Sequence, residues 1–134
     1  MADILETAKI LLVEDDSEVR LMLKVMLGQI GIRHVIETRS GQEALDLIRA
    51  VPDGIDLILC DWNMPGMDGP SLLHHVRKQE HYIPFVMITG RGDIASVSEA
   101  KAFGIDGYLR KPFFPNLLEA KLRAVLHKMA MRAA

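Results

Sequence analysis

The chain has 134 residues, of which 49% are hydrophobic and 25% are charged. This size and composition argue against disorder and predict a single domain spanning residues 1–134, with an ordered core of about residues 8–130. The formal net charge is −2 and the basic residues are spread along the chain, so nucleic acid is not an expected direct partner.

Cysteine content and the N-terminal sequence indicate the cellular compartment of the protein. The single cysteine, Cys60, cannot form an intramolecular disulfide or a zinc site of the usual kind. Residues 1–7 are acidic and lack the features of a signal peptide, and no segment approaches the roughly 20 apolar residues of a membrane span. We therefore expect a cytoplasmic protein in a reducing environment, with no membrane partner.

Along the chain, short continuous apolar runs alternate with segments of helical spacing. The runs predict five strands, near residues 9–14, 33–37, 55–60, 84–88 and 106–110. The fully apolar runs indicate strands that are buried on both faces of a sheet.

Amphipathic helices are predicted between and after these strands. Four of them have clear apolar faces, marked by Val19, Met22, Leu23, Met26, Leu27 and Ile30, by Leu45 and Ile48, by Leu72, Leu73 and Val76, and by Leu118, Leu122, Val125 and Met129. The predicted helix near 93–103 is the weakest, since only Val97, Ala100 and Phe103 align and Ser96 and Ser98 interrupt it.

Strict alternation of strand and helix gives five βα units. It predicts an α/β fold with a parallel sheet, right-handed crossovers, helices on both faces and one of the doubly wound strand orders. Residues 1–8 and 131–134 are expected to be frayed.

Polar residues stand at the predicted strand exits. Glu14 and Asp15 follow the first strand, Asp61 the third, Thr89 the fourth and Lys111 the fifth. Ligands bind at the carboxyl ends of the strands in open parallel sheets, so these groups are expected to converge on one edge.

Clustered carboxylates repel one another unless a cation neutralises them, and Mg²⁺ takes oxygen ligands of this kind. The acids after the first strand have a second reading, as a solvated turn and helix N-terminus where negative charge is favourable in any case. Taken singly, Lys111 also reads as a surface lysine and Thr89 as a strand-end hydroxyl. Jointly, they predict that Asp61 attacks a phosphorus atom and carries an acyl phosphate whose oxygens bind the metal, Thr89 and Lys111.

The chain resembles the receiver domain of the two-component response-regulator family, and especially its stand-alone chemotaxis-type members. The resemblance extends from about Lys9 to Met129 and rests on residues 13–16, 61–69 and 89–90 and on Tyr108 preceding 111–113. It implies a flavodoxin-like fold with strand order 2-1-3-4-5.

The resemblance also implies a role for each site residue. Asp61 would accept a phosphoryl group from a phosphohistidine of a sensor histidine kinase or a histidine phosphotransfer protein. Asp15, Asp61 and the backbone carbonyl of Asn63 would ligate Mg²⁺ directly, and Glu14 would act through water. Asp16, the residue after the acidic pair, would have at most a modulatory role and is also placed to begin the next helix.

Activation in the family implies a switch. Thr89 would move toward the phosphoryl oxygen and Tyr108 would fill the vacated space, remodelling the face of the fourth helix, fifth strand and fifth helix for a downstream protein that the sequence does not identify. Tyr108 is equally compatible with an ordinary strand tyrosine.

Arg91, like Asn63, stands where the family tunes the lifetime of the acyl phosphate, although a loop arginine commonly points to solvent. The Lys111–Pro112 bond is typically cis in the family, whereas sequence alone favours trans.

Two other classes of protein compete with this interpretation. A phosphatase of the haloacid dehalogenase type also uses a strand-end Asp, but it needs a second Asp two residues later, where this chain has Asn63. A pseudo-receiver that only binds proteins usually lacks the acceptor or the lysine, and both Asp61 and Lys111 are present. We therefore expect a phosphorylated signalling protein rather than an enzyme, with Mg²⁺-dependent self-phosphorylation and slow self-dephosphorylation. Its output is expected on another chain or on a larger protein of which this is a fragment.

Overall fold

The five apolar runs form one parallel sheet. The computed structural model describes residues 3–90, 98 and 101–133. Its strands are β1 (Lys9–Val13), β2 (His34–Thr38), β3 (Leu57–Asp61), β4 (Phe85–Thr89) and β5 (Gly107–Arg110). They are ordered β2-β1-β3-β4-β5, all in parallel, which confirms the predicted flavodoxin-like topology.

Helices cover both faces of this sheet. Within the described residues they are α1 (Ile4–Thr7), α2 (Ser17–Gln29), α3 (Gly41–Ala50), α4 (Gly69–Arg77) and α5 (Pro115–Ala133), with a short 3₁₀ turn at Pro52–Gly54. The predicted helix near 93–103 lies largely outside the described residues. No helix in the described ranges is long and apolar enough to cross a bilayer.

Alternation along the strands divides the core into two layers. In β1, Ile10 and Leu12 pack on one face with side chains of α2 and α5, whereas Leu11 and Val13 pack on the other with side chains of α3 and α4. Every residue of β3 and β4 is buried, as expected for the central strands of a sheet covered on both faces.

Helix α2 departs from the prediction at one position. Leu23 and Leu27 are buried as predicted, but Met22 is 51% exposed, and Leu21 and Val25 are exposed beside it. The buried stripe is narrower than predicted, and Arg20 occupies one of its positions, three residues before Leu23.

The prediction that residues 1–8 are frayed is wrong for residues 3–8. Asp3 caps the short helix α1 by accepting a hydrogen bond from the Leu5 amide, and the Leu5 side chain is buried in the core. Both carboxylate oxygens of Asp3 also accept hydrogen bonds from the Arg123 guanidinium of α5, at 2.8 and 2.9 Å. At the other end, α5 extends to Ala133, beyond the predicted limit of residue 130.

Candidate functional site

The polar residues predicted at the strand exits lie together at the carboxyl edge of the sheet. Asp61 is the last residue of β3 and pairs in register with Ile88 of β4, one residue before Thr89. Glu14 directly follows β1, and its amide donates to the Thr38 carbonyl at the end of β2, at 3.1 Å. The parallel register therefore brings side chains from distant parts of the sequence to one edge.

Three carboxylates form the centre of the site. One oxygen from each of Glu14, Asp15 and Asp61 lies within 4.8 Å of the other two, an arrangement that could hold a metal ion. Glu14 and Asp61 are only 1% and 8% exposed, whereas Asp15 is open to solvent. The cluster is thus reached from solvent on the Asp15 side.

Lys111 places an ammonium group beside two of these acids. Its Nζ lies 3.4 Å from Asp61 Oδ1 and 3.7 Å from Glu14 Oε1. The backbone of Lys111 is held by a hydrogen bond from its amide to the Thr89 carbonyl, at 2.8 Å. The Lys111–Pro112 peptide bond is cis. Lys111 thus contacts residues at the carboxyl ends of three strands: its amide bonds to Thr89 of β4, and its ammonium lies beside the acids at the ends of β1 and β3.

Burial raises the proton affinity of both buried acids, and like charge adds to this effect at Glu14. Burial, followed by the charge of Asp61, raises the pKa of Glu14 from 4.5 to about 7, although Lys111 opposes the shift. Burial likewise raises the pKa of Asp61, against the opposing effect of Lys111. One ammonium therefore only partly offsets the cost of holding these carboxylates together.

The donor set fits a hard divalent cation. Glu14 Oε1 is buried and accepts no hydrogen bond from any described residue. Carboxylate oxygens are the ligands that Mg²⁺ prefers, and an ion bound among them would offset the cost of burying these charges side by side. The pocket is therefore compatible with Mg²⁺ and with phosphorylation of an aspartate.

A tight turn after β3 holds the backbone of Asp61 in place. Asp68 caps α4 by accepting a hydrogen bond from the Ser71 amide, and the Gly69 amide donates to the Trp62 carbonyl at 2.9 Å. A Cβ on Gly69 would lie only 2.7 Å from both the Asp61 carbonyl oxygen and Met87 Sδ. Only glycine lets the start of α4 approach Asp61 this closely.

Two of the remaining predicted site residues, Asp16 and Asn63, follow the clustered acids closely in the sequence. Asp16 is the N-cap of α2, where its side chain accepts hydrogen bonds from the Glu18 and Val19 amides. It is not among the clustered carboxylates. Asn63 is exposed on the loop after Asp61, and Arg91 lies outside the described residues.

Tyr108 and Thr89 lie on the neighbouring strands β5 and β4, close to the carboxyl edge of the sheet. Tyr108 lies on β5 opposite Met87 of β4, is 36% exposed, and has Lys121 Nζ 5.8 Å from its ring centroid. Thr89, at the end of β4, is 5% exposed. The Tyr108 ring therefore has the access to solvent that a movable side chain needs.

Sequence reasoning missed Arg20. This residue of α2 is 9% exposed, and its Nη1 donates to the backbone carbonyl of Glu14 at 2.9 Å. The available signal was its place on the apolar stripe of α2, in line with Leu23 and Leu27. A charged residue at such a position is rarely buried unless a specific partner holds it.

Comparison with known proteins assigns the family. The family model of the response regulator receiver domain matches residues 10–123. The chain is 38% identical over 120 residues to a chemotaxis protein CheY homolog of Campylobacter jejuni, covering 88% of this chain and 92% of that protein. It is also 38% identical to chemotaxis protein CheY1 of Helicobacter pylori, covering 88% of this chain and 96% of that one.

Solved structures agree with this assignment. A response regulator receiver domain protein from Clostridium thermocellum superposes with a TM-score of 0.85 at 27% identity, covering 92% of this chain and 98% of that one. The Vibrio cholerae chemotaxis protein CheY4 superposes with a TM-score of 0.80 at 35% identity, covering 89% and 98%. The fold, the acidic edge and the sequence matches together show that the chain belongs to the response regulator receiver domain family.

Proposed function

We propose that this protein is a phosphoacceptor response regulator that receives a phosphoryl group on Asp61 from a phosphohistidine of a sensor histidine kinase or a histidine phosphotransfer protein. The observation that carries the proposal is the placement of the Asp61 carboxylate. It is nearly buried, it lies 3.4 Å from the Lys111 ammonium, and it shares a cluster with Glu14 and Asp15.

In the proposed transfer, a carboxylate oxygen of Asp61 attacks the phosphorus atom. The new P–O bond forms as the P–N bond to the donor imidazole breaks, and the electron pair of that bond leaves with the imidazole nitrogen. Lys111 binds a phosphoryl oxygen, and Thr89 donates its hydroxyl to another. Positioned positive charge of this kind is often the largest contribution to such a reaction.

The same residues would hold Mg²⁺. Asp15, Asp61 and the backbone carbonyl of Asn63 are its proposed direct ligands, and Glu14 acts through water. When bound, the ion neutralises charge on the carboxylates and on the transferring phosphoryl oxygens. Glu14, whose buried Oε1 accepts no hydrogen bond from any described residue, would hold a water of the metal shell.

Hydrolysis of the acyl phosphate returns the protein to its starting state. Asn63 and Arg91 are the proposed modulators of that rate, with Asp16 confined to an indirect effect through the start of α2. The chain has asparagine where an aspartyl phosphatase has its general acid, so we propose slow loss of the phosphoryl group rather than turnover of free phosphate esters.

The output is proposed to run through Thr89 and Tyr108. Phosphorylation adds about −1.5 to −2 charges at the edge of the sheet, which would draw the Thr89 hydroxyl toward the phosphoryl group and let the Tyr108 ring turn inward. The face remodelled by this change, which includes β5 and α5, would then bind a downstream protein; the predicted helix near 93–103 that completes this face lies largely outside the described residues. Because relatives of this chain are chemotaxis proteins by name, we place this role in cytoplasmic chemotaxis-type signalling.

Fluorotyrosine NMR can test the switch with an internal control. The chain has two tyrosines, and the hydroxyl of the second, Tyr82, donates to Asp106 at 2.6 Å, away from the acidic site. We expect a phosphoryl mimic with Mg²⁺ to shift the Tyr108 signal and to leave the Tyr82 signal in place. An unmoved Tyr108 signal would remove this residue from the switch.

Intact-mass measurement tests the function itself. Incubation with Mg²⁺ and a small phosphodonor should add the mass of one phosphoryl group, and chelation of the metal should prevent the addition. Asp61→Asn should abolish it. Asp68→Asn is a matched control, since asparagine also caps a helix and this residue lies in the same loop. Labelling that persists in Asp61→Asn, or that still occurs when the metal is chelated, would contradict the proposal.

A further inference from the structure

We propose that Arg20 is a positioning residue that holds the peptide between Glu14 and Asp15 and thereby sets the affinity of the site for Mg²⁺. This inference rests on the proposed function. It concerns a residue that touches neither the phosphoryl group nor the metal, but that is bonded to the backbone from which two of the three clustered acids extend.

The Glu14 backbone is held on both sides. Its amide donates to the Thr38 carbonyl at 3.1 Å, and its carbonyl accepts from Arg20 Nη1 at 2.9 Å. That carbonyl belongs to the peptide that joins Glu14 to Asp15. A rotation of this peptide would therefore redirect both acids, and the Arg20 bond opposes such a rotation.

Arg20 is itself held in place. Its Nε lies 3.5 Å from Glu37 Oε1 on β2, one residue before Thr38, and its side chain is 11% exposed. A guanidinium group can bind a carbonyl with one nitrogen and a carboxylate with another, in a fixed plane. The result is a closed ring of contacts from Arg20 through β2 to Glu14 and back to α2.

Lysine could keep the charge but not this geometry. A single ammonium on a flexible stem lacks the planar fork that reaches the Glu14 carbonyl and Glu37 together. Arg20→Lys therefore keeps the positive charge but loses the contact with both groups, so it tests the positioning separately from the charge. Groups that orient metal ligands typically change metal affinity by about 10- to 100-fold when they are removed.

Lys24 provides a matched control. It contacts the other oxygen of the same carboxylate, with Nζ 3.1 Å from Glu37 Oε2, but it makes no hydrogen bond to Glu14 among the described residues. Its side chain is 51% exposed. Lys24→Met thus removes a positive charge from the same cluster without touching the Glu14–Asp15 peptide.

The test is calorimetric titration of Mg²⁺ into the full chain, with urea unfolding in chelator as a separate measure of the fold. Relative to the wild type, we expect Arg20→Lys to raise the Kd for Mg²⁺ about 10-fold. Lys24→Met should change it less than about twofold. Glu37→Gln, which loosens Arg20 while keeping its own volume, should raise the Kd by about two- to fivefold.

Each outcome decides the inference. A folded Arg20→Lys variant with the wild-type Kd would overturn it, as would equal shifts in Arg20→Lys and Lys24→Met. If Arg20→Lys does not fold, an unchanged Kd in Glu37→Gln overturns it instead. Failure of the proposed function would give a different result from failure of this inference. In that case the Kd for Mg²⁺ would depend on Arg20 as predicted, and yet the wild type would acquire no phosphoryl group on Asp61.

Discussion

The two ends of the sheet use acidic residues in opposite ways. At the carboxyl end, Glu14 and Asp61 are buried beside each other and share one ammonium, so their charges are only partly compensated. At the amino end, Asp106 accepts hydrogen bonds from the Phe85 amide at 2.7 Å, from Arg77 Nη2 at 3.0 Å and from the Tyr82 hydroxyl at 2.6 Å. The acids at one end are poised to bind an added cation, whereas Asp106 already has a full set of partners.

The amino end shows what a structural carboxylate looks like in this fold. Asp56 repeats the pattern more simply, since its side chain accepts from the Lys9 amide at 2.8 Å where β1 begins. Both residues satisfy a backbone donor at the start of a strand. Hydrogen-bond satisfaction, rather than residue type, thus separates the acids that stabilise this protein from those that could hold a metal ion.

Removing Asp106 should give the largest loss of stability. Asp106→Ala leaves the Arg77 guanidinium, whose side chain is 18% exposed, without its carboxylate and removes an acceptor from Phe85 and Tyr82. We expect the free energy of unfolding to fall by about 2–4 kcal/mol in urea titration, with Mg²⁺ affinity unchanged. Asp53→Ala is the control, since its side chain is 93% exposed. A loss below about 1 kcal/mol would erase the contrast between the two ends.

The acidic end should instead lose stability as pH rises. Without metal, Glu14 keeps its proton up to about pH 7 in the folded protein, whereas an ordinary glutamate releases it near 4.5. The folded state therefore binds more protons between these values, and its stability should decline across that window by about 2 kcal/mol, after allowance for solvent screening. Asp61, whose pKa is also raised, contributes in the same direction.

Unfolding measurements from pH 4.5 to 8 can check this trend, with Glu14→Gln as the comparison. The slope of the free energy of unfolding against pH should flatten in Glu14→Gln. Saturating Mg²⁺ should also flatten this slope in the wild type, because metal ligands must be deprotonated. A metal-free protein that gains stability through this range would show that the site acids are as well compensated as Asp106.

Neutralising Asp61 should have a smaller effect of the opposite sign to the loss of Asp106. Asp61→Asn removes a buried charge that repels Glu14. We expect a gain of about 1 kcal/mol in the free energy of unfolding at pH 8 without metal, and a smaller gain with Mg²⁺. Destabilisation by this substitution would mean that the Lys111 contact already compensates the site.

Asp16 marks the boundary between the two kinds of acid. It lies directly after the clustered pair, yet its side chain caps α2 at 2.9 and 3.0 Å. Asp16→Ala should therefore cost about 0.5–1 kcal/mol of stability, and Asp16→Asn almost nothing. Calorimetry should find Mg²⁺ affinity within about twofold of the wild type in Asp16→Asn. A larger change would move Asp16 into the metal site.

Sequence alone predicted the sheet and the convergence of Glu14, Asp15, Asp61 and Lys111 at one edge, because both follow from local patterns. The apolar runs set the strands, and the polar residue at each exit placed Asp61 and Lys111 together although they are 50 positions apart. The contacts that hold these groups were not predictable in this way. The bonds from Arg20 to Glu14 and from Arg77 to Asp106 depend on how helices sit against the sheet, which periodicity does not specify.

The same limit applies to the N-terminal segment. Its short acidic sequence is too brief to predict a stable helix, and its order depends on the Asp3–Arg123 pair, whose members are 120 residues apart. Burial of Leu5 completes the anchoring. The raised pKa of Glu14 is likewise a property of the assembled pocket rather than of the acidic motif.

The Asp3–Arg123 pair has a practical consequence for tethering experiments. It fastens α1 to α5 beside the amino end of β1, and Ile4 and Met129 line a common cavity there. A biotin or dye attached ahead of Asp3 would therefore sit on the side of the molecule remote from Asp61. Protein immobilised through such a handle on a sensor chip would expose its acidic edge to the solution.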